Sequence, residues 1–106
     1  MNELIKQVIL DVIIDVLSES IIDKIILFGS RARNDYNSLS DYDVLVILED
    51  DIQMPNRINL STSIRKQLAQ KGIDADIIIK SKMEAEFLSN KTGSIVKSAI
   101  KEGVVL

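Results

Sequence analysis

Three short apolar runs constrain the fold of this chain more than any other feature of its sequence. They span residues 25–28, 41–48 and 73–79, and glycine, aspartate or other turn residues bound each of them. Runs of this length are typical of buried β-strands rather than helices. The sequence therefore predicts three interior strands.

Helical periodicity marks two longer segments. Residues 2–17 place apolar side chains three and four positions apart, which predicts an amphipathic helix. A second helix is predicted before the third strand, with an apolar stripe at Leu60, Ile64 and Leu68 and an end near Gly72.

The last third of the chain predicts two short helices and an edge strand. Ser81 and Glu84 match a capping box that begins the first of these helices. Residues 92–101 predict the last helix, which Gly103 ends, and residues 104–106 could add an edge strand. We therefore expect an α+β fold, a small mixed β-sheet packed against helices, as one domain over residues 1–106.

Composition narrows the chemistry. The chain lacks Cys and His, so it can form neither a thiolate nor a His-based site. Any metal must be held by carboxylates and other oxygens, which favours Mg²⁺ or Mn²⁺. With 13 basic and 16 acidic residues the net charge is -3, which argues against direct nucleic-acid binding. No signal peptide or membrane-spanning run is visible, so we expect a cytoplasmic protein without membrane contact.

Two aspartates open the second apolar run. Asp41 and Asp43 are separated by one residue, so in a strand their side chains point to the same face, about 6.6 Å apart along the chain. Two carboxylates so placed can hold a hard divalent cation. The alternative is a solvated strand end, because Asp is common in turns.

A third aspartate lies at the start of the third run. If this strand lies beside the second, Asp76 can join the carboxylate pair, and such a cluster would be unstable without a cation. Asp74 would share its face and is the rival candidate, but Asp76 directly precedes the apolar residues. Both could also be ordinary turn residues.

The first run ends in Gly29 and Ser30. Glycine allows a ligand to approach the backbone closely, and Ser30 offers a hydroxyl and an N–H at the start of a short helical turn, where phosphate is favoured. Arg31 and Arg33 add cationic groups nearby. A Gly-Ser turn alone is weak evidence, but this one lies ten residues before the Asp-x-Asp strand.

Together these residues resemble a known signature. Gly-Ser-Arg-Ala-Arg at residues 29–33, followed by Ser-Asp-Tyr-Asp-Val-Leu-Val at residues 40–46, is similar to the motif of the DNA polymerase β-type nucleotidyltransferase superfamily. The closer resemblance is to the minimal nucleotidyltransferases of prokaryotes, the MntA-like antitoxins of HEPN–MNT toxin–antitoxin pairs, and it covers nearly the whole chain. Asn34 stands where that family usually has Gly; Asn tolerates the left-handed backbone, so we expect the turn to persist.

The resemblance implies a polymerase β-like fold and a set of roles. Asp41, Asp43 and Asp76 would be catalytic and would hold Mg²⁺ or Mn²⁺. Gly29, Ser30 and Arg33 would bind the nucleoside triphosphate. The implied reaction is the transfer of AMP from ATP to a tyrosine hydroxyl of a partner HEPN toxin, which makes the protein an antitoxin.

Other functions remain open from the sequence. The same fold could neutralise its partner by steric contact without catalysis. A transferase acting on a small molecule is a third possibility, although the chain is short for an acceptor pocket, and nucleic-acid polymerisation is the least favoured. The sequence fixes neither the acceptor nor the nucleotide, and homo- or hetero-oligomers are both compatible with it.

Overall fold

A computed structural model of the chain describes residues 2–37, 39–53 and 56–106. Within these residues the fold consists of five α-helices, four strands, the last of them only two residues long, and one 3₁₀ turn. Their bounds are α1 Glu3–Leu17, the 3₁₀ turn Glu19–Ile21, β1 Ile22–Phe28, α2 Gly29–Arg33, β2 Tyr42–Leu48, α3 Asn56–Gln70, β3 Ala75–Ser81, α4 Lys82–Leu88, α5 Ile95–Glu102 and β4 Val104–Val105.

The sheet has the strand order β3-β2-β1-β4. β1 pairs antiparallel with both β2 and β4, whereas β2 and β3 are parallel. The parallel pair is possible because α3 connects these two strands, as such a crossover requires. The expected mixed sheet is therefore confirmed, and β2 is flanked by a strand on each side.

Helices cover both faces of the sheet. On one face the apolar sides of α1 and α3 pack against alternate strand residues, and the fully buried members include Ile9, Ile13, Val44 and Ile64. On the other face α4 and α5 cover a smaller cluster around Leu45. Both faces of β2 are thus removed from water, which explains why its sequence is a continuous apolar run rather than an alternating one.

Most predicted elements are confirmed, with shifted ends. β1 begins at Ile22 rather than at residue 25, and an irregularity between Ile22 and Lys24 interrupts the alternation that would have revealed its start. The last helix begins at Ile95 rather than at residue 92, because the Ser94 hydroxyl accepts the N–H of Lys97 and caps it there. The third strand covers Ala75–Ser81 instead of residues 73–79.

The predicted capping box and the predicted glycine at the end of α3 are both confirmed. The capping box is present: Glu84 N–H donates to the Ser81 hydroxyl at 3.1 Å and Ser81 N–H donates to the Glu84 carboxylate at 2.9 Å. Gly72 ends α3 with a left-handed φ of 80°. No helix within the described ranges is long and apolar enough to cross a membrane.

A buried arginine forms several contacts at the end of the sheet opposite to Asp41, Asp43 and Asp76. Arg57, on α3, is 8% exposed and forms a two-pronged ion pair with Glu84, with N–O distances of 2.8 and 3.0 Å. It also contacts the Asp51 carboxylate and donates to the Ile52 and Ile79 carbonyls. Sequence periodicity gave no sign of this role, because a charged residue near a helix start is ordinarily solvated.

We expect Arg57→Met to destabilise the protein by about 2 kcal/mol, less than for a fully buried pair because Glu84 and Asp51 are more exposed. The pKa of Glu84 is lowered from 4.5 to about 2, first by the hydrogen bond from the Arg57 guanidinium and then by the Ser81 hydrogen bonds and the charge of Arg57, although burial acts in the opposite sense. That stabilisation is complete above pH 4.5 and is lost as pH falls towards 2. Urea unfolding between pH 6 and pH 2 should therefore show native and variant curves converging at the acid end.

The matched control is Arg65→Met, the same change at an exposed position of the same helix. It should stay within about 0.5 kcal/mol of the native protein at every pH. Equal losses in the two variants would show that the Arg57 contacts do not stabilise the fold.

Candidate active site

The parallel pairing of β2 and β3 places two aspartates side by side. Asp43 and Asp76 are Cα partners across the two strands, and neighbouring strands lie about 4.8 Å apart. The Tyr42 N–H donates to the Asp74 carbonyl at 2.9 Å and fixes this register where both strands begin. Asp41 precedes β2 by one residue and is exposed. The sequence hypothesis that the third strand lies beside the second is therefore confirmed.

Burial and neighbouring negative charges both act on the carboxylate of Asp43. Its pKa is raised above the ordinary value, first because it is partly buried, then because Asp76 and Asp41 repel its negative charge; Arg33 acts in the opposite sense. Asp76 is also the Cα partner of Asp43, so Asp76, rather than Asp74, lies directly beside this residue on the neighbouring strand. A cation beside Asp43 would stabilise the charged carboxylate, which burial and the two neighbouring aspartates disfavour.

Gly29 borders Asp43 on the other side. Phe28 is the Cα partner of Asp43 across β1 and β2, so the chain turns into α2 directly beside this carboxylate. Gly29 has a φ of 71°, which other residues rarely adopt, and a Cβ added there would overlap the Asp43 carboxylate oxygen. Both facts require glycine. As at the start of any α-helix, the first N–H groups of α2, including that of Ser30, have no partner within the helix itself.

Arg31 holds the loop between α2 and β2. Its guanidinium stacks between the rings of Tyr36 and Tyr42, at 4.2 and 4.3 Å from their centres, and donates twice to the Ser40 carbonyl. In the sequence Arg31 is only a cation near Gly29 and Ser30, but in the structure its contacts hold the chain that leads into Asp41. Its role is therefore positional, and the tyrosines that flank it were not singled out from sequence.

Arg33 is exposed and lies between two carboxylates. It donates to Asp35 at 3.1 Å and to Glu102, at the end of α5, at 3.0 Å. The positive charge of Arg33 opposes the rise in the pKa of Asp43, so Arg33 is close enough to interact with negative charge in the candidate site. Asn34 ends α2 with φ 63° and ψ 24°, so asparagine does adopt the left-handed conformation expected for the turn.

The three carboxylates offer the right donor type for Mg²⁺ or Mn²⁺, but they are not gathered around one point. Within residues 2–37, 39–53 and 56–106 no three acidic side chains are placed so that they could hold a metal ion as they stand. The strands fix the backbone positions of Asp43 and Asp76, and the exposed Asp41 is free to rotate. A cation would therefore fit with two carboxylates and additional oxygens from a triphosphate, as is usual for Mg²⁺.

A cleft of 370 Å³ lies beside the carboxylates, between the beginning of β3 and the second half of α3. Asp41, Asp74 and Asp76 line one wall, and side chains of α3 line the other. The cleft is not visible in the sequence, because the α3 residues that line it have the pattern of an ordinary solvated helix surface until the packing of α3 on the sheet is known.

Comparison with known proteins identifies the family. The family model described as a nucleotidyltransferase domain matches residues 10–106. A putative protein adenylyltransferase of Methanocaldococcus jannaschii is 39% identical over 87 residues, which cover 80% of this chain and 78% of that protein.

Two solved structures share the fold. One, a toxin–antitoxin with AMP-PNP, has a TM-score of 0.58 and 22% identity over 90% of this chain and 69% of that one. The other, a tri-AMPylated Shewanella oneidensis HEPN toxin in complex with MNT antitoxin, has a TM-score of 0.58 and 20% identity over 99% of this chain and 71% of that one. The resemblance predicted from residues 29–33 and 40–46 is thereby confirmed, and the chain belongs to the nucleotidyltransferase domain family.

Proposed function

We propose that this nucleotidyltransferase moves AMP from ATP to a tyrosine hydroxyl of a partner HEPN toxin, in the cytoplasm, and so acts as its antitoxin. The observation that carries the proposal is the position of Asp43, which has Gly29 on one side and Asp76 on the other. The backbone proposed to bind phosphate and two carboxylates thus lie together at one end of the sheet.

We assign the phosphate and metal ligands to residues at the end of β1 and at the starts of β2 and β3. Gly29 and Ser30 would hold the β- and γ-phosphates through the free N–H groups at the start of α2, and Arg33 would neutralise phosphate charge. Asp41, Asp43 and Asp76 would hold Mg²⁺ or Mn²⁺. A divalent cation there stabilises the charge on the attacking and leaving oxygens during the displacement.

The proposed reaction is one displacement at phosphorus. The acceptor oxygen attacks the α-phosphorus of ATP, the bond from that phosphorus to the bridging oxygen breaks, and pyrophosphate leaves with the electron pair. The proton of the acceptor hydroxyl passes to the carboxylate of Asp76, the only member of the three on β3. No His is needed, because a carboxylate next to the acceptor can take the proton.

Two of the relatives support the choice of acceptor. The M. jannaschii relative is named for protein adenylyl transfer, and one structural neighbour is an AMPylated HEPN toxin bound to its antitoxin. The second candidate is a non-catalytic antitoxin that blocks its partner by contact. The absence of three gathered carboxylates among the described residues is the observation that favours it.

We expect ATP and Mg²⁺ to bind together, because three unneutralised carboxylates would repel a triphosphate. Calorimetry should detect ATP binding with Mg²⁺ and a loss of at least about tenfold in affinity with EDTA. Intact-mass spectrometry of a HEPN toxin incubated with the protein and Mg²⁺-ATP should then show added AMP. Equal ATP affinity with and without EDTA would contradict the assigned site, and an unmodified toxin would favour the steric antitoxin.

A further inference from the structure

The cleft beside the carboxylates lies on the side of β2 that faces away from Gly29. The strand order places β1, and with it Gly29, on one side of β2, and β3 on the other. The cleft is lined by Asp76 of β3 and by Thr62, Arg65 and Lys66 of α3. Its volume, 370 Å³, falls in the range of small-ligand pockets and is sufficient for a few side chains.

This placement separates the two substrates. Displacement at phosphorus is in line, so the acceptor must approach the α-phosphorus from the side opposite the leaving pyrophosphate. If Gly29 and Ser30 hold the β- and γ-phosphates on the β1 side, the acceptor has to arrive from the β3 side. The cleft is the space that the structure provides there.

The α3 wall of the cleft carries two exposed cations, Arg65 and Lys66. Arg31, Arg33 and Arg57 each contact carbonyls or carboxylates of the chain. Arg65 and Lys66 form no salt bridge or side-chain hydrogen bond with any described residue, although the acidic wall lies across the same cleft. Two unpaired cations on one wall attract an anionic group of whatever enters.

We propose that this cleft receives the acceptor segment of the partner protein, and that Arg65 and Lys66 select a hydroxyl that has a carboxylate side chain nearby. The inference rests on the proposed AMP transfer and adds the chemical class of the acceptor. Arg65 and Lys66 act as specificity residues: they bind the flank of the acceptor, while Asp76 remains next to the reacting hydroxyl.

The test compares short peptides that contain one tyrosine flanked by glutamates, by glutamines or by lysines. Binding is measured by fluorescence anisotropy with Mg²⁺ and α,β-methylene ATP, which occupies the site without transferring AMP, and transfer is then measured with labelled ATP. The variant is Arg65→Gln with Lys66→Gln. The matched control is Lys24→Gln with Lys97→Gln, which removes the same charge from exposed positions on β1 and α5.

The native protein and the control should bind the glutamate peptide about tenfold more tightly than the glutamine peptide, as two exposed ion pairs can provide, and added salt should weaken this preference. The R65Q/K66Q variant should bind both alike. No peptide preference, or the same preference in that variant, would overturn the inference while leaving AMP transfer in place. Preferential binding without AMP transfer to any peptide or to the toxin would instead refute the proposed function and leave the cleft as a binding site.

Discussion

Replacing Asp41 and Asp43 together by asparagine is expected to reduce AMP transfer by about a thousandfold or more while the fold persists. The two changes remove two of the three anionic oxygen donors proposed for the metal, and with them several kcal/mol of stabilisation of the displacement. Labelled-AMP transfer to the toxin measures the loss, and circular dichroism with urea unfolding measures the fold.

The same variant should be at least as stable as the native protein without metal. The pKa of Asp43 is raised in the folded state, so folding stability falls as pH rises from the ordinary value of 3.8 through the raised one. At neutral pH this penalty is complete, and asparagine removes it. The stability advantage of D41N/D43N should therefore be present at pH 7 and disappear below pH 4.

A matched control has the same charge change elsewhere. Asp11→Asn with Asp15→Asn neutralises two exposed aspartates on α1 that are not among the residues of the candidate site. Transfer by that control should equal that of the native protein. Normal transfer by D41N/D43N would mean that the assigned site is wrong, whereas an unfolded variant would mean that the aspartates have a structural role that the geometry does not predict.

Changing Asp76 to asparagine is expected to lower kcat about a hundredfold and to leave the ATP affinity within a few-fold of native. Asp76 is proposed to act on the acceptor hydroxyl, and general-base assistance of this kind is felt mainly in the transition state. Asp74→Asn is the comparison variant, because it is the same change at the rival carboxylate two residues away. Single-turnover kinetics and ATP calorimetry separate the two parameters.

This pair of variants also separates catalysis from steric neutralisation. Cells that express the toxin should lose growth rescue with Asp76→Asn and keep it with Asp74→Asn, while both variants still bind the toxin. Full rescue by Asp76→Asn, with no AMP on the toxin, would support the steric antitoxin. A large loss with Asp74→Asn alone would identify Asp74 as the third carboxylate.

Local signals in the sequence determined much of the fold. The capping box at Ser81 and Glu84 depends on side chains only three residues apart, so it is visible in the sequence and present in the structure. The turn at Gly29 and the alternation that puts Asp41 and Asp43 on one face are likewise short-range. Ends of elements were less certain, because the irregularity in β1 and the cap at Ser94 depend on geometry that periodicity does not encode.

Tertiary structure decided which residues of the candidate site become neighbours. Only the parallel register of β2 and β3 makes Asp76, rather than Asp74, the partner of Asp43. In the sequence both aspartates stand at the start of the third apolar run, and the structure places Asp76 in β3 and Asp74 just before it. The burial of Arg57 and the exposure of Arg65 follow from how α3 packs on the sheet, although both are charged residues of one helix. The sequence by itself determined which residues could carry the chemistry; long-range packing determined which of them meet, since residues distant in the chain become neighbours only through the sheet.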